Sequence, residues 1–440
     1  LAKISARQCK TGTQVNLIKG ERMALEPDHV ELGRINRRAL LKFAAAGAVL
    51  SFGTDPLSAQ GLRVVVAGAG IIGASIAYHL ARAGAQVTVV DQEGPATHAS
   101  RGTFAWINAT WAKQPRDYHA LNQAGLSGWK SLQRLLNIPI RWNGSLEWFE
   151  QPQRQERLKQ QIHEQAVWGE RARFVSSDEL AMLEPGVNFR GAQNVAYSEN
   201  DGALDPVLAT NALLDAAAGF GATIQYPCVL NDVMRRSGRV TSVTTTHGEI
   251  KADKVVLATG GAQGVGQRIA DFEIPQRSTP GVIALTEPLP PLLNRVLVAP
   301  GIHLHQRQDG RIVLGEQSGA PSNEAHAKRL QARPRRFPNN TFAQQHTGRM
   351  IETAARFLPA IKHVKVEQVY IGWRPLPLDG HPVLGFSPAH ADVYLAVMHS
   401  GVSLAPIVGQ LAASEIINGV STGRLDEYRP DRSFQSVKRY

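Results

Sequence analysis

The alternation of apolar and polar positions begins about sixty residues into the chain. Residues 63–66 form a short apolar run, a glycine-rich turn follows, and apolar residues then recur at helical spacing. A second apolar run over residues 86–90 ends at Asp91. Short apolar runs on either side of an amphipathic segment predict two parallel strands joined by a helix.

The same patterns predict later elements. Leu121, Leu132 and Leu135 are spaced as core positions of a long helix over residues 119–136. The other expected elements are a helix over residues 208–218, a hairpin from residues 239–243 and 249–250, and a buried strand over residues 254–257 that runs into a second glycine turn. Helices and strands therefore both contribute, as in an α/β protein.

The first glycine turn has the spacing of a dinucleotide-binding site. Gly68 permits a tight turn after the strand, Gly70 lets the backbone approach a pyrophosphate, and Gly73 lets the helix pack on the strand. The helix N-terminus adds free N–H groups and positive potential. Asp91 follows about 20 residues on, where an acid accepts hydrogen bonds from ribose hydroxyls. We therefore predict dinucleotide binding rather than a chance glycine turn.

Composition excludes several other classes of protein. The chain has 48 Lys and Arg against 37 Asp and Glu, a formal net charge of +11. Its dense basic run, residues 328–336, is interrupted by Pro334 and has no aromatic residue before Phe337, so we interpret it as a solvated face and expect no nucleic-acid partner.

Cys9 and Cys228 are the only cysteines, which excludes a disulfide framework and zinc spacing. We expect no metal, and we expect Cys228 to be a buried structural thiol.

Residues 1–60 are expected to be an N-terminal extension that carries an export signal. Arg37 and Arg38 precede a mildly apolar run over residues 43–51 that is too short to span a bilayer. Residues 57–59 have the small side chains of a cleavage site. This arrangement resembles a twin-arginine signal, which predicts export to the periplasm and no integral membrane segment in the mature chain. The alternative is an ordinary amphipathic helix on a cytoplasmic protein.

Three stretches of the C-terminal half resemble a known family. Residues 370–385 contain Gly-Trp-Arg-Pro, residues 397–406 contain Met-His-Ser-Gly-Val-Ser, and residues 302–315 form a strand pair with His303 near its start. Together with the first glycine turn, they are similar to the D-amino-acid oxidase, glycine oxidase and sarcosine oxidase group of FAD enzymes. The resemblance covers residues 62–425.

The resemblance implies an α/β, two-domain fold. A Rossmann-type FAD-binding domain is interleaved with a substrate domain built on a mainly antiparallel sheet. The implied boundaries are residues 61–145, 200–265 and 365–425 for the FAD-binding domain, residues 146–199 and 266–364 for the substrate domain, and residues 426–440 for a C-terminal tail.

The resemblance also implies roles for individual residues. Arg374, in an apolar setting, should hold a substrate carboxylate or else form a structural ion pair. His399 and His303 are either substrate contacts or packing residues, and His303 and His305 alternate on a strand and should face one side. The amides at Gly401 should open the last helix against the flavin. The implied cofactor-binding residues are Gly68, Gly70, Ile72, Gly73, Asp91, Gln92, Ser100, Thr103, Val229, Thr259, Gly260, Ser400, Gly401, Val402 and Ser403.

Two features depart from the family pattern. Residues 103–105 are Thr-Phe-Ala, where many members have Asn or Ser followed by Ala-Gly. Sarcosine oxidases attach flavin through a cysteine late in the chain, and no cysteine follows Cys228. The resemblance therefore implies FAD that is bound without a covalent link.

The implied activity is FAD-dependent oxidation of the C–N bond of an amino acid or of a primary or secondary amine. Hydride transfer gives an imine that water hydrolyses, and oxygen, a quinone or a carrier protein then reoxidises the cofactor. The alternatives are a flavin dehydrogenase of 2-hydroxy acids or alcohols and a flavin-bearing electron-transfer subunit of a complex. Substrate identity, stereochemistry and oligomeric state stay open.

Overall fold

The computed structural model describes residues 59–108, 113–189, 191–261, 264–317, 328 and 330–436. The predicted export signal, with Arg37 and Arg38, lies outside these residues. Within them, no helix is both long enough and apolar enough to cross a membrane.

Helices and strands alternate along the first half of the described chain, and strands dominate its later part. The α-helices are α1 Ile71–Arg82, α2 Arg116–Leu136, α3 Pro152–Val167, α4 Ser177–Leu183, α5 Pro206–Gly219, α6 Val265–Ala270, α7 Asn340–Ala355 and α8 Gly401–Asn418. Short 3-10 helices cover Pro359–Ile361 and Gly423–Tyr428. The strands are β1 Arg63–Ala67, β2 Gln86–Val90, β3 Trp106–Ile107, β4 Ile140–Arg141, β5 Ser145–Glu147, β6 Ala172–Phe174, β7 Ala196–Ser198, β8 Gly202–Leu204, β9 Thr223–Gln225, β10 Leu230–Arg236, β11 Arg239–Thr245, β12 Gly248–Lys251, β13 Lys254–Leu257, β14 Gln276–Pro288, β15 Val296–Ala299, β16 Ile302–Gln306, β17 Arg311–Glu316, β18 Val366–Pro377, β19 Val383–Phe386 and β20 Val393–Val397.

The first large sheet has six strands in the order β19–β20–β13–β1–β2–β9. Its pairings are parallel except that of β19 with β20. Val64, Val65 and Val66 of β1 are buried, as expected for a central parallel strand covered on both faces. Because parallel strands end at one edge of a sheet, the turns after β13, β1 and β2 lie side by side.

The second large sheet has eight strands in the order β18–β14–β17–β16–β15–β5–β7–β6. Its pairings are antiparallel except that of β15 with β5. One face carries a buried apolar core that includes Ala284, Leu304 and Leu314. Two three-stranded sheets, β3–β8–β4 and β10–β11–β12, complete the described strands.

The opposite face of the eight-stranded sheet meets the segment between β2 and β3. The rings of His303 and His305 lie 5.3 and 4.8 Å from the ring of Phe104, centroid to centroid. Both histidines therefore face the same side, as predicted from their alternation. A Cβ added at Gly315, directly opposite His303, would lie 3.0 Å from Phe104 Cδ2, so glycine makes room for this contact.

Small residues bring the last helix close to the first. Ser75 Oγ in α1 donates to the Ala405 carbonyl at 2.6 Å. A Cβ added at Gly409 would lie 2.2 Å from that hydroxyl oxygen. At the N-terminus of α8, a Cβ added at Gly401 would lie 3.4 Å from Ile72 Cγ1. This packing holds the N-termini of α1 and α8 beside each other.

The predicted fold class is confirmed, because a parallel sheet flanked by helices and a mainly antiparallel sheet are both present. The predicted helix over residues 119–136 begins earlier, at Arg116, and Leu121 and Leu132 are buried. The prediction for Leu135 was wrong: its side chain is 58% exposed. Leu135 lies at the edge of the face that the helix buries, and Leu136 in the same turn packs against the core instead.

The predicted domain boundaries stay a prediction. Strand β18 belongs to the eight-stranded sheet, although the implied boundaries place residues 365–425 in the FAD-binding domain. This strand therefore joins the two halves of the protein at the place where Arg374 lies.

Candidate functional site

A cavity of about 800 Å³ is lined by residues from both large sheets. Its wall includes the turns after β1, β2 and β13 and parts of β14, β16, β17 and β18. The predicted site residues in this wall are Gly68, Gly70, Ile72, Asp91, Gln92, Ser100, Thr103, Val229, Thr259, Gly260, His303, Arg374, His399, Ser400, Gly401, Val402 and Ser403. The structure thus brings together residues that lie more than 300 positions apart in the sequence.

The first glycine turn has the close packing that its spacing predicts. Gly68 has a φ of +112°, which strongly favours glycine, and an added Cβ would lie 2.4 Å from the Ala258 carbonyl oxygen. Gly73 lies behind the cavity wall, and an added Cβ would lie 1.9 Å from the Gly68 carbonyl oxygen. Both glycines are required for the turn to form and for α1 to pack on β1.

Gly70 and Ser100 lie at the N-terminus of α1. Gly70 is the N-cap residue of α1, and as a glycine it has no side chain that could cap the helix. The Ile71 N–H donates to Ser100 Oγ at 3.0 Å. The hydroxyl therefore occupies one amide of the first turn, and the positive end of the helix dipole faces the cavity.

Asp91 ends β2 and holds the turns on either side of it. Its Oδ2 accepts from the Ala69 N–H at 2.8 Å, and its Oδ1 accepts from the N–H groups of Glu93 and Gly94 at 2.9 and 2.8 Å. A carboxylate offers about four acceptor positions, so one is left for a ribose hydroxyl. Gln92 follows it in the cavity wall.

Val229 lies in the wall with both backbone groups already bonded. Its N–H donates to Thr246 Oγ1 at 3.1 Å, and its carbonyl accepts from the Thr246 N–H at 3.0 Å. Its remaining contribution to a ligand is the surface of its side chain. Thr259 and Gly260 line the wall after β13, where Gly260 has a φ of +59°.

The last helix opens on the cavity. Its N-cap residue, Ser400, has a left-handed backbone with a φ of +60°, and no side chain caps the helix. His399 Nδ1 lies 3.0 Å from Ser400 Oγ. The first turn, which contains Gly401 and Ser403, therefore directs its amides and the positive end of the helix dipole at the cavity.

The segment over residues 97–105, which we call the cofactor loop, forms another wall. Thr103 Oγ1 accepts from the Ala105 N–H at 3.3 Å. Ala105 has a φ of +60°, in the left-handed region that favours glycine. His305 Nε2–H donates to the Phe104 carbonyl at 2.9 Å and fixes the loop.

Arg374 lies on β18 opposite Thr279 of β14. Its Nη2 donates to the Pro280 carbonyl at 3.0 Å. A Cβ added at Gly281 would lie 3.1 Å from both Nε and Nη2, so the guanidinium lies across the glycine and occupies the space of a side chain. The charged group is thereby held in the cavity wall, on the same sheet face as His303.

His303 is a neutral group in the cavity wall. Removal from water, followed by the charges of Arg154 and Arg374, lowers the pKa of His303 to about 3. Its ring lies 5.3 Å from that of Phe104 and 6.3 Å from that of Trp106. It therefore adds an uncharged aromatic surface beside the guanidinium.

The charged side chains of the cavity wall are mostly basic. Among the described residues, they are the cations Lys113, Arg157, Arg333, Arg335 and Arg374 and the anions Asp91 and Glu316. This excess of positive charge suits a ligand that carries phosphate or carboxylate groups.

Sequence reasoning missed several of these residues. Lys113 Nζ donates to the Asn108 carbonyl at 2.7 Å and to Asn122 Oδ1 at 2.6 Å. Arg333 and Arg335 belong to the basic run that was interpreted as a solvated face, and that interpretation is incomplete because both side chains line the cavity. No local pattern marks Arg333 and Arg335, since their partners Gly261 and Glu93 lie 72 and 242 residues away.

Other sequence expectations concern cysteine and metal. Cys228 is buried, and its Sγ lies 3.7 Å from Gln225 Oε1, as expected of a structural thiol. Within the part of the chain that the structure describes, no group of His, Cys, Asp and Glu is arranged to hold a metal ion.

Three features define a dinucleotide-dependent oxidoreductase. They are a glycine turn on a parallel sheet, an acid at the end of the next strand, and a second helix N-terminus that faces a basic cavity. Residues 63–415 match the family model described as DAO, FAD dependent oxidoreductase. The chain belongs to this family of FAD-dependent enzymes, and FAD is its cofactor.

The individual relatives share only about a quarter of their aligned residues with this chain. The chain is 26% identical to glycine oxidase of Bacillus licheniformis over 383 residues, which cover 84% of this chain and 96% of that protein. It is also 26% identical over 390 residues to the bifunctional protein ThiO/ThiG of Synechocystis sp., but it spans only 54% of that protein's length. The crystal structure of glycine oxidase from Geobacillus kaustophilus aligns with a TM-score of 0.74 at 20% identity, over 85% of this chain and 100% of that one. This structural likeness shows a shared fold.

The residues present fit FAD. Gly68 and Gly73 make the turn in which a pyrophosphate approaches the N-terminus of α1, and Asp91 keeps an acceptor position beside it. Helix α8 offers a second N-terminus, without a side-chain cap, beside that of α1. A ligand with a ribose at Asp91, a pyrophosphate at the N-terminus of α1 and a ring that gains negative charge on reduction near the N-terminus of α8 is complementary to this wall.

Proposed function

We propose that the protein oxidises the C–N bond of an amino acid, or of an amine that carries a carboxylate, with FAD as oxidant. The observation that supports this most directly is the position of Arg374. Its guanidinium lies in the cavity wall, is held by the Pro280 carbonyl at 3.0 Å, and shares a sheet face with His303. A planar guanidinium binds a carboxylate through two parallel hydrogen bonds, which fixes the substrate's orientation as well as its position.

The surrounding side chains supply orientation and exclude water. Phe104, Trp106 and the neutral His303 form an uncharged wall beside the guanidinium. In such a wall a charge-assisted hydrogen bond to a carboxylate is stronger than it would be in water.

When FAD is bound, it would supply the two-electron oxidation by taking a hydride from the carbon next to nitrogen, and water would hydrolyse the imine product to a carbonyl compound and ammonia or a smaller amine. The chain's own contribution near the flavin is the first turn of α8 at Gly401, whose amides favour negative charge. No side chain has to transfer a proton, so the reaction depends on positioning.

The names of two relatives support a substrate with a carboxylate. One is glycine oxidase, and another is 4-methylaminobutanoate oxidase (formaldehyde-forming) of Paenarthrobacter nicotinovorans, which is 23% identical over 83% of this chain. Oxygen, a quinone and a carrier protein are all compatible with reoxidation.

We also propose export through the paired arginines at 37 and 38. Its test is whether replacing both with lysine keeps the protein in the cytoplasm of a bacterial host.

The activity is tested by anaerobic bleaching of the bound flavin. The panel contains D- and L-amino acids, N-methyl amino acids, polyamines and 2-hydroxy acids. We expect bleaching by at least one amino acid or carboxylate-bearing amine and none by the matching 2-hydroxy acids. Bleaching by hydroxy acids alone would establish an alcohol dehydrogenase instead, and no bleaching by any member would favour an electron-transfer subunit.

A further inference from the structure

Two arginines of the basic run contact the dinucleotide side of the cavity. Arg333 Nη1 donates to the Gly261 carbonyl at 2.6 Å. Arg335 Nη1 forms an ion pair with Glu93 Oε2 at 2.5 Å. Both arginines line the cavity itself. We call residues Arg333, Pro334 and Arg335 the clasp.

The order of strands shows what the clasp spans. Gly261 follows β13, and Glu93 follows β2. In the sheet, β1 lies between β13 and β2. Because the three strands are parallel, their turns lie side by side at one edge, and a segment attached to both outer turns must pass over the middle one. That middle turn begins at Gly68, the start of the dinucleotide-binding turn.

A third contact fixes the centre of the clasp. The Trp373 Nε1–H donates to the Pro334 carbonyl at 3.0 Å, from the residue that precedes Arg374 on β18. Arg333 itself has a φ of +45°, a left-handed conformation that costs free energy in a residue other than glycine. Such a conformation persists only where several contacts enforce it. The clasp is therefore held in one position by contacts with both large sheets.

The charge of the clasp matches the ligand beneath it. The pyrophosphate of FAD carries two negative charges, and guanidinium groups bind phosphate oxygens with charge-assisted hydrogen bonds. The Arg335 guanidinium also holds the pKa of Glu93 below its usual range, so the pair is charged at neutral pH. Arg336, the next residue along the chain, is exposed and does not line the cavity.

We propose that the clasp is part of the FAD site: it closes over the pyrophosphate above the glycine turn and slows the release of the cofactor. The inference concerns FAD and not the substrate, so it can fail without affecting the proposed amine oxidation. It assigns a cofactor-binding role to a segment whose Arg335 lies 242 residues along the chain from its ion-pair partner Glu93.

The test is the rate of FAD release from holoenzyme, followed by flavin fluorescence after dilution. Arg335→Gln removes the ion pair, and we expect release about two- to fivefold faster, the range for a partly exposed pair. Arg335→Glu places a carboxylate against Glu93 and the pyrophosphate, and we expect release faster by more than about tenfold. Adding Glu93→Arg to Arg335→Glu should recover most of this loss. Arg336→Gln is the matched control and should release FAD at the wild-type rate.

The stability of the apoprotein separates a cofactor role from a structural one. We expect the thermal midpoint of the apoprotein to be unchanged by Arg335→Gln and that of the holoenzyme to fall. Wild-type release from Arg335→Gln, failure of Glu93→Arg to rescue Arg335→Glu, or an equal loss of stability in apoprotein and holoenzyme would each overturn the proposal.

Discussion

Gly102 in the cofactor loop and Gly372 in strand β18 pack backbone against backbone. A Cβ added at Gly102 would lie 2.4 Å from Gly372 Cα, and one added at Gly372 would lie 2.3 Å from the Gly102 carbonyl oxygen. The loop that surrounds the cofactor therefore rests directly on the strand that carries Arg374, two residues from Gly372. The contact therefore links a loop of the cavity wall to the strand that carries Arg374.

The first prediction concerns this contact. Gly372→Ala would push the added methyl group into the Gly102 carbonyl, and because both partners are backbone atoms neither can turn aside. We expect the free energy of unfolding to fall by about 1–3 kcal/mol, the usual range for an overpacked core, and FAD to bind less tightly. Urea unfolding and FAD titration of the apoprotein measure the two effects.

The matched control is Gly348→Ala in helix α7, where an added Cβ meets no atom within 4 Å. We expect this change to be neutral or to stabilise the protein by up to about 1 kcal/mol, because alanine favours helix. If Gly372→Ala behaved like Gly348→Ala, the close approach of the loop and the strand would be refuted.

The second prediction concerns Gly281 and rests on the proposed function. An added methyl group would lie 3.1 Å from Arg374 Nε and Nη2, so the guanidinium must shift by a few tenths of an ångström. We expect Gly281→Ala to lower kcat/KM on a carboxylate-bearing substrate about three- to tenfold, since small displacements of a positioning group are costly. An amine without a carboxylate should react at the wild-type rate. Equal slowing of both substrates would show that the glycine acts on the flavin side instead.

The third prediction concerns pH and His305, which is only 3% exposed. Burial, followed by the charge of Arg307, lowers the pKa of His305 from 6.5 to about 3. At a pH between these two pKa values, the His305 side chain is protonated in the unfolded chain and neutral in the native protein. The free energy of unfolding therefore decreases as the pH falls below 6.5. His305→Gln keeps a donor for the Phe104 carbonyl but cannot titrate.

When the pH is lowered from about 7 to about 5.5, we therefore expect the free energy of unfolding of the wild type to fall by about 1.3 kcal/mol more than that of His305→Gln. Urea unfolding of the two apoproteins at both pH values measures the difference. Equal losses in the two proteins would mean that His305 is not buried as a neutral group.

Local sequence signals predicted the parts of the site that local geometry determines. Gly68, Gly73 and Asp91 lie within one β–α–β unit, where a tight turn and helix packing restrict the residue types. The ion pair of Arg335 with Glu93 and the contact of Gly102 with Gly372 join segments more than 200 residues apart, and a single sequence contains no signal for such pairs. The error at Leu135 has another origin, because Leu135 and Leu136 are adjacent apolar residues and the pattern alone does not show that Leu136 is the one that packs against the core.

The central claim is that Arg374 holds the substrate's carboxylate, and one comparison tests it most directly. Kinetics of Arg374→Met are measured on the best amino-acid substrate and on an amine without a carboxylate, with bound FAD quantified in each preparation. Two charge-assisted hydrogen bonds are worth about 1.5–3 kcal/mol each, so kcat/KM on the amino acid should fall by roughly a hundred- to ten-thousandfold. Arg374→Lys should recover only part of this loss, because the ammonium lacks the planar fork. The account predicts that the amine reacts almost as with wild type and that FAD stays bound. Loss of FAD, unfolding, or equal slowing of both substrates would contradict it.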